Sequence, residues 1–125
     1  MRTTADIVAA RQHGRSMAES VGFSSGDQTV IATAISELAR NIVSYAQSGE
    51  IGLSVELRRG RPCVIVVARD QGPGISDMES AMRDGYSTSH GMGMGLPGTR
   101  RLMDEFEIVS EPGKGTTITA RKWRW

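Results

Sequence analysis

Two stretches in the first half of the chain carry apolar residues at helical spacing. They predict one helix over residues 4–21 and a second over 25–47, separated by Gly22. Ser25 and Gln28 have the spacing of a capping box at the start of the second helix. The apolar stripe of that helix recurs every three or four residues and consists of Ile31, Ala34, Ile35, Leu38, Ile42 and Tyr45.

The apolar pattern changes to strand spacing after residue 50. Leu53, Val55 and Leu57 alternate with polar residues, as in a strand with one solvated face. Residues 64–68 form a continuous apolar run, which is typical of a buried central strand. The other predicted elements are a short helix at 76–85, a helix from 96 to about 104, and a hairpin with strands at 106–110 and 116–122.

The order of these elements predicts one domain, residues 1–125, with an α/β fold. We expect a two-layer sandwich in which helices cover one face of a mixed, mostly antiparallel sheet. The formal net charge of +1 gives no reason to expect a nucleic-acid partner, and the longest apolar run, 63–68, is too short to span a membrane. With one cysteine and no apolar signal segment, we expect a cytoplasmic protein in which Cys63 is a core residue.

An acid and an amide lie one helical turn apart on the second predicted helix. Glu37 and Asn41 share a side of that helix, at the edge of its apolar stripe. An amide oxygen suits Mg²⁺, which takes oxygen ligands and keeps several waters. A carboxylate there can take the proton from an attacking hydroxyl. Taken alone, the pair also fits a solvated helix edge.

A carboxylate followed by a glycine-rich turn ends the predicted central strand. Asp70 can accept a hydrogen bond from an exocyclic amine such as that of adenine, and Gly72 and Gly74 allow close approach of the backbone. Taken alone, Asp70 also fits an ordinary turn.

A second glycine-rich segment, residues 91–98, leads into the helix that Leu96 and Pro97 open. Because a helix N-terminus favours anions, this segment fits phosphate groups. It lacks the Gly-Lys-Ser/Thr ending of a Walker loop, and no βαβ unit surrounds it as in a dinucleotide fold. The alternative is a loop in which Met92 and Met94 serve only for packing.

In this order, the segments resemble the GHKL ATPase superfamily with its Bergerat nucleotide-binding fold. Within it they are most similar to the bacterial serine/threonine switch kinases of the stressosome. The stretches that carry the resemblance span nearly the whole chain: 6–12, 35–42, 70–75, 84–89, 95–98, 101–107 and 113–118.

The resemblance implies roles for individual residues. Glu37 would be the catalytic base, and Asn41 would bind Mg²⁺. Asp70 would bind the adenine amine, Thr116 would support the adenine from the strand below, and 85–95 would form an ATP lid. The nucleotide-binding residues that it implies are Asn41, Asp70, Gly72, Gly74, Ile75, Gly91, Gly93, Gly95, Leu96, Gly98 and Thr116.

The resemblance also implies a function: a serine/threonine protein kinase of a bacterial stress-response partner switch, using ATP and Mg²⁺. Its substrates would be STAS-domain stressosome proteins, and after release it would activate a PP2C-type phosphatase by binding it. Two alternatives stay open: an anti-sigma factor kinase that binds a sigma factor directly, and a binding module that activates the phosphatase with little kinase activity. The presence of Glu37 favours catalysis. A histidine kinase is disfavoured because no dimerisation helix with a phosphoacceptor histidine is evident.

Overall fold

A computed structural model of the chain describes residues 4–43, 49–70, 95–111 and 115–124. Its helices are α1 (Thr4–Ser20), α2 (Ser25–Asn41) and α3 (Gly95–Leu102). Its strands are β1 (Gly49–Arg58), β2 (Arg61–Asp70), β3 (Glu105–Glu111) and β4 (Gly115–Trp123). None of these three helices has the length and apolar character needed to cross a membrane.

The four described strands form one sheet in the order β1-β2-β4-β3. Each pairing between them is antiparallel. A tight hairpin joins β1 to β2, with positive φ at Arg59 (51°) and Gly60 (76°), as two-residue hairpin turns require. Because β4 lies between β2 and β3, it brings the end of the chain into the centre of the sheet. The two-layer α/β fold predicted from the sequence is confirmed.

The core lies between the helices and one face of the sheet. Ile31, Ile35 and Leu38 of α2 have no exposed surface, and they belong to one buried cluster with Val64 and Val66 of β2. Burial of a side chain of this size stabilises the fold by about 1.5–3 kcal/mol. The predicted apolar stripe of the second helix is therefore confirmed from Ile31 to Ile42, whereas Tyr45 lies outside the described residues.

The start of α2 differs by one residue from the prediction. Ser24 is the N-cap: its backbone is extended (φ −62°, ψ 161°), and its Oγ accepts a hydrogen bond from the Asp27 N–H at 3.1 Å. Gln28 instead donates from Nε2 to the carbonyl oxygen of Phe23 at 3.0 Å. The capping box predicted for Ser25 and Gln28 is therefore wrong. Ser24 directly follows the buried Phe23 and takes the cap, so the helix begins one residue earlier than predicted.

The other boundaries are close to the predicted ones. α2 is regular to Asn41, and Ile42 keeps a helical backbone (φ −59°, ψ −51°). The predicted continuation to residue 47 and the predicted helix at 76–85 lie outside the described residues. Leu57 falls on the same face of β1 as Leu53 and Val55 in the alternating pattern, but it is 70% exposed. It pairs with Pro62 beside the hairpin turn.

The sheet face opposite the helices carries Cys63. Its side chain has no exposed surface, and this burial raises the pKa of the thiol although Arg121 lies near enough to oppose the shift. A thiol that stays protonated is a poor nucleophile. The sequence-based interpretation of Cys63 as a core residue is confirmed.

Gly14 of α1 allows the close approach of α1 and α2. A Cβ at this position would overlap Cδ1 of Ile35, which is fully buried. We expect Gly14→Ala to lower the free energy of unfolding, because overpacking costs about 1–3 kcal/mol whereas the better helix propensity of alanine recovers at most about 1 kcal/mol. Urea denaturation measures the change.

Gly26 offers the matched control, since it is a second helical glycine. A Cβ there would have only Ser24 Oγ nearby, at 3.9 Å. Gly26→Ala should therefore leave the free energy of unfolding unchanged or raise it. Equal stabilisation by both substitutions would show that α1 and α2 do not pack closely at Gly14.

Candidate functional site

One cross-strand row at the end of the sheet carries polar side chains. The register pairs Gly49 of β1 with Asp70 of β2, Asp70 with Thr116 of β4, and Thr116 with Ser110 of β3. On its own strand, each of these residues is an even number of positions from the core residues, so it points to the same face of the sheet as they do. The row therefore lies on the helix-facing side of the sheet, where it forms a polar continuation of the apolar core.

Two hydroxyl groups of this row are bonded to each other. Thr116 is 6% exposed, and its Oγ1 lies 2.8 Å from Oγ of Ser110. Ser110 Oγ also donates to the carbonyl oxygen of Gly115 at 3.3 Å. Because a serine hydroxyl has one hydrogen, Thr116 is then the donor to Ser110. This arrangement leaves a lone pair on Thr116 Oγ1 as an acceptor.

The last turn of α2 adjoins the row at Gly49. A Cβ at Gly49 would lie against the backbone oxygen of Arg69, 2.8 Å from Cγ2 of Ile42 and 3.1 Å from Cβ of Asp70. The missing side chain thus lets Ile42 and Asp70 approach the same point. Since Asn41 directly precedes Ile42, the end of α2 and the polar row belong to one region of the molecule.

Glu37 and Asn41 lie on this part of α2, as the spacing predicted. The side chain of Glu37 is only 7% exposed, and its Oε1 accepts a hydrogen bond from Nη1 of Arg40 at 2.6 Å. Asn41 is half-buried. A buried carboxylate requires a partner, and Arg40 supplies one from the same helix. The result is a fixed carboxylate one turn from an amide that is partly open to solvent.

The start of α3 is anchored beside α2. α3 begins at Gly95 and Leu96 and packs against α2. The next residues, Pro97, Gly98 and Thr99, are buried. A helix start leaves backbone N–H groups without helical partners, and these favour an anion. The position of α3 is therefore compatible with the phosphate role predicted for Gly95, Leu96 and Gly98.

The described residues do not include five of the predicted nucleotide-binding residues. They also do not include the lid predicted at 85–95, apart from Gly95. Within the described residues, the structure brings the end of α2 next to the row with Asp70 and Thr116, and it packs α3 against α2. The five residues outside are Gly72, Gly74, Ile75, Gly91 and Gly93.

Three residues that adjoin the predicted ones were not assigned a role from the sequence. Arg40 could have been found, because it is three residues from Glu37 and such pairs meet on a helix surface. Ser110 could not, because its contact with Thr116 depends on the register of β3 and β4. Gly49 begins β1 and pairs with Asp70, and this pairing also depends on the strand register.

Comparisons with known proteins agree with this architecture. Residues 26–124 match the family described as histidine kinase-, DNA gyrase B-, and HSP90-like ATPase. The chain is 56% identical over 118 residues to the serine/threonine-protein kinase RsbT of Bacillus subtilis (strain 168), which covers 94% of this chain and 89% of that relative. It is 32% identical over 97 residues to the anti-sigma F factor of Thermoanaerobacter sp. (strain X514), covering 74% of this chain and 68% of the relative.

The family match contains α2 from its second residue, α3 and all four described strands, and so it includes Glu37, Asn41, Asp70 and Thr116. Identity of 56% over almost the whole chain to a serine/threonine-protein kinase identifies this chain as an ATP-dependent enzyme of that class. The resemblance found in its motifs is thereby confirmed: the chain belongs to the family of histidine kinase-, DNA gyrase B- and HSP90-like ATPases, the GHKL superfamily.

Proposed function

We propose that this kinase transfers the γ-phosphoryl group of Mg-ATP to a serine or threonine of a STAS-domain stressosome protein. Once released, it activates a PP2C-type phosphatase by binding it. The observation that carries the proposal is the buried carboxylate of Glu37, held one helical turn from Asn41 at the end of the sheet that carries Asp70 and Thr116. Identity to a serine/threonine-protein kinase supports the same reaction.

The polar row fits the adenine ring of ATP. Asp70 is assigned to the exocyclic amine, since a carboxylate accepts hydrogen bonds and cannot donate them when ionised. Thr116 supplies a hydroxyl from the neighbouring strand, and Ser110 fixes that hydroxyl. Gly72, Gly74 and Ile75 complete the adenine wall in this proposal.

The end of α2 and the start of α3 fit a metal-bound triphosphate. Asn41 offers a neutral amide oxygen, a ligand type that Mg²⁺ accepts while it keeps waters. When bound, the metal neutralises charge on the phosphates. Gly95, Leu96 and Gly98 at the start of α3 are assigned to the phosphates, together with Gly91 and Gly93 from the preceding segment.

Glu37 is assigned as the general base. Its carboxylate takes the proton of the attacking serine or threonine hydroxyl while that oxygen forms its bond to the γ-phosphorus. The bond from phosphorus to the bridging oxygen breaks at the same time, and ADP leaves with that electron pair. Burial of Glu37 limits competition from water for the same carboxylate.

Release of the product follows from electrostatics. Phosphorylation adds about −1.5 to −2 charges to the acceptor residue. If that residue docks beside Glu37, the new phosphate and the carboxylate repel each other once ADP leaves. The phosphorylated partner then binds more weakly than the unphosphorylated one, and the freed kinase can bind its phosphatase.

The second candidate is an anti-sigma factor that binds a sigma factor directly. Identity of 32% to anti-sigma F factors favours it, but identity to the switch kinase is higher, at 56%. The deciding experiment incubates the chain and radiolabelled ATP with STAS-domain proteins from its own organism, and then assays a PP2C-type phosphatase with the released kinase. Phosphorylation together with phosphatase activation supports the proposal. Binding to a sigma factor without phosphatase activation would contradict it.

Asp70→Asn is expected to weaken ATP binding by about 10-fold or more, since losing a hydrogen bond to a charged acceptor costs about 1.5–3 kcal/mol. Asparagine keeps the volume but replaces one acceptor oxygen with a donor amide. Calorimetric titration with ATP and with GTP measures the change. Glu50→Gln on the opposite face of the neighbouring strand is the control and should bind ATP normally. Unchanged ATP affinity in Asp70→Asn would remove Asp70 from the adenine site.

A further inference from the structure

We propose that Arg40 is a positioning residue for Glu37: it holds one oxygen of the carboxylate so that the other faces the acceptor hydroxyl. This rests on the base role proposed for Glu37. Arg40 Nη1 lies 2.6 Å from Glu37 Oε1, and the side chains are 36% and 7% exposed, respectively. A short bond between two charged groups, with one of them buried, is among the stronger hydrogen bonds in proteins.

The two carboxylate oxygens of Glu37 have different surroundings. Oε1 is occupied by Arg40, whereas within 4–43, 49–70, 95–111 and 115–124 no hydrogen bond to Oε2 is found. The terminal torsion of a glutamate side chain is otherwise broad. The bond to Oε1 therefore selects one orientation of the carboxylate, and among the described residues it leaves Oε2 available to accept a proton.

The position of the pair on one helix makes this orientation independent of any loop. Glu37 and Arg40 are three residues apart on α2, so their backbone separation is set by the helix itself. Ser36 and Leu38, the neighbours of Glu37, are buried and hold this part of the helix against the core. A catalytic group on a rigid element with a fixed partner meets the geometric demand of proton transfer better than one on a loop.

The test compares Arg40→Met and Arg40→Lys in the full-length chain, with a STAS-domain protein as the phosphate acceptor. Arg40→Met keeps the length of the side-chain stem without its charge, and it should lower kcat by about 10- to 100-fold while KM for ATP stays within about twofold. Arg40→Lys should restore most of the lost kcat, because an ammonium group can also donate to Oε1. In a Glu37→Gln background, Arg40→Met should cause no further loss.

Arg15→Met is the matched control. Arg15 is a half-buried arginine of α1 that donates to Thr29 of α2 at 3.4 Å, and its loss should leave kcat unchanged. An unchanged kcat in Arg40→Met with a lowered Tm would show that Arg40 has only a structural role. A raised KM for ATP, or a further loss in the Glu37→Gln background, would show that Arg40 acts on the nucleotide or the acceptor instead. Either result would overturn the proposal.

Failure of the proposed function would be distinguishable, because the unchanged chain would then transfer no phosphate to the STAS-domain protein. In that case the pair is tested on hydrolysis of Mg-ATP to ADP and phosphate, with water as the acceptor. Arg40→Met should reduce this rate by about 10- to 100-fold as well. The role of Arg40 would be overturned if Arg40→Met left the rate of hydrolysis unchanged, or if the unchanged chain hydrolysed no ATP.

Discussion

Glu37→Gln is expected to lower the rate of phosphoryl transfer to a protein acceptor by about 10²–10⁴-fold, with ATP affinity within about twofold of the unchanged chain. Glutamine keeps the volume of the side chain and an oxygen that can accept the hydrogen bond from Arg40. The fold should therefore survive, and the loss reports the missing base. Transfer from radiolabelled ATP measures the rate, and calorimetry measures the affinity.

Glu107→Gln is the control for this substitution. Glu107 is an exposed residue of β3 and lies outside the polar row that carries Ser110. The same chemical change there should leave the rate of transfer unchanged. A Glu37→Gln variant that transfers phosphate within about threefold of the normal rate would exclude Glu37 as the base, since general bases contribute at least about 10²-fold.

The same variant also tests how the partner is released. Under the proposed function, the unchanged chain should leave a STAS-domain protein once Mg-ATP has phosphorylated it, whereas Glu37→Gln should stay bound in Mg-ATP. Size-exclusion chromatography of the complex over time measures this difference. If the unchanged chain remains bound after stoichiometric phosphorylation, or if Glu37→Gln dissociates equally fast, then phosphorylation does not drive release.

The helices and strands of this fold follow closely from local patterns. The apolar stripe of α2 reflects burial of one helix face, and the continuous apolar run in β2 reflects burial of both faces of the strand. The N-cap was displaced by one residue because Ser24 and Ser25 have the same capping chemistry. Only the burial of Phe23 decides between them, and that burial is a property of the tertiary structure.

The candidate site could be predicted in part. Glu37 and Asn41 are four residues apart on one helix, so their proximity can be predicted from the sequence spacing alone. The row formed by Asp70, Thr116 and Ser110 depends on β4 pairing with β2 and β3 at a particular register. No local pattern encodes that register. It follows from the packing of the whole sheet, and the hydroxyl pair of Thr116 and Ser110 became visible only in the structure.

The burial of Glu37 was also beyond local reasoning. Helical spacing places it at the edge of the apolar stripe, where a side chain can be exposed or covered. The structure shows its side chain 7% exposed and paired with Arg40. α2 packs against α1 and α3, and α3 follows α2 only after the whole β1–β2 hairpin, so such packing is not contained in a local pattern. The sequence thus indicates the acid, whereas the structure shows that its side chain is buried and paired.

Asn41→Ala is expected to lower Mg²⁺-dependent phosphoryl transfer by about 100-fold, because a positioned metal ion contributes several kcal/mol to such reactions and about 1.4 kcal/mol corresponds to a factor of ten. Asn41 is half-buried at the end of α2, and alanine is the best helix former, so the fold should be retained. Circular dichroism checks the fold, and transfer from radiolabelled ATP over a range of Mg²⁺ concentrations measures the effect.

Asn41→Asp separates loss of the metal ligand from loss of the side chain. Aspartate keeps an oxygen at the same distance from the backbone and adds a negative charge, so this variant should need no more Mg²⁺ than the unchanged chain. Asn41→Ala should need much more, or stay inactive at every concentration, since its methyl group cannot ligate a metal. If Asn41→Asp needed more Mg²⁺ than Asn41→Ala, Asn41 would not be a metal ligand, because losing an oxygen ligand cannot lower the Mg²⁺ concentration that the reaction needs. Full activity of Asn41→Ala at limiting Mg²⁺ would likewise show that the metal is held by other residues of the chain.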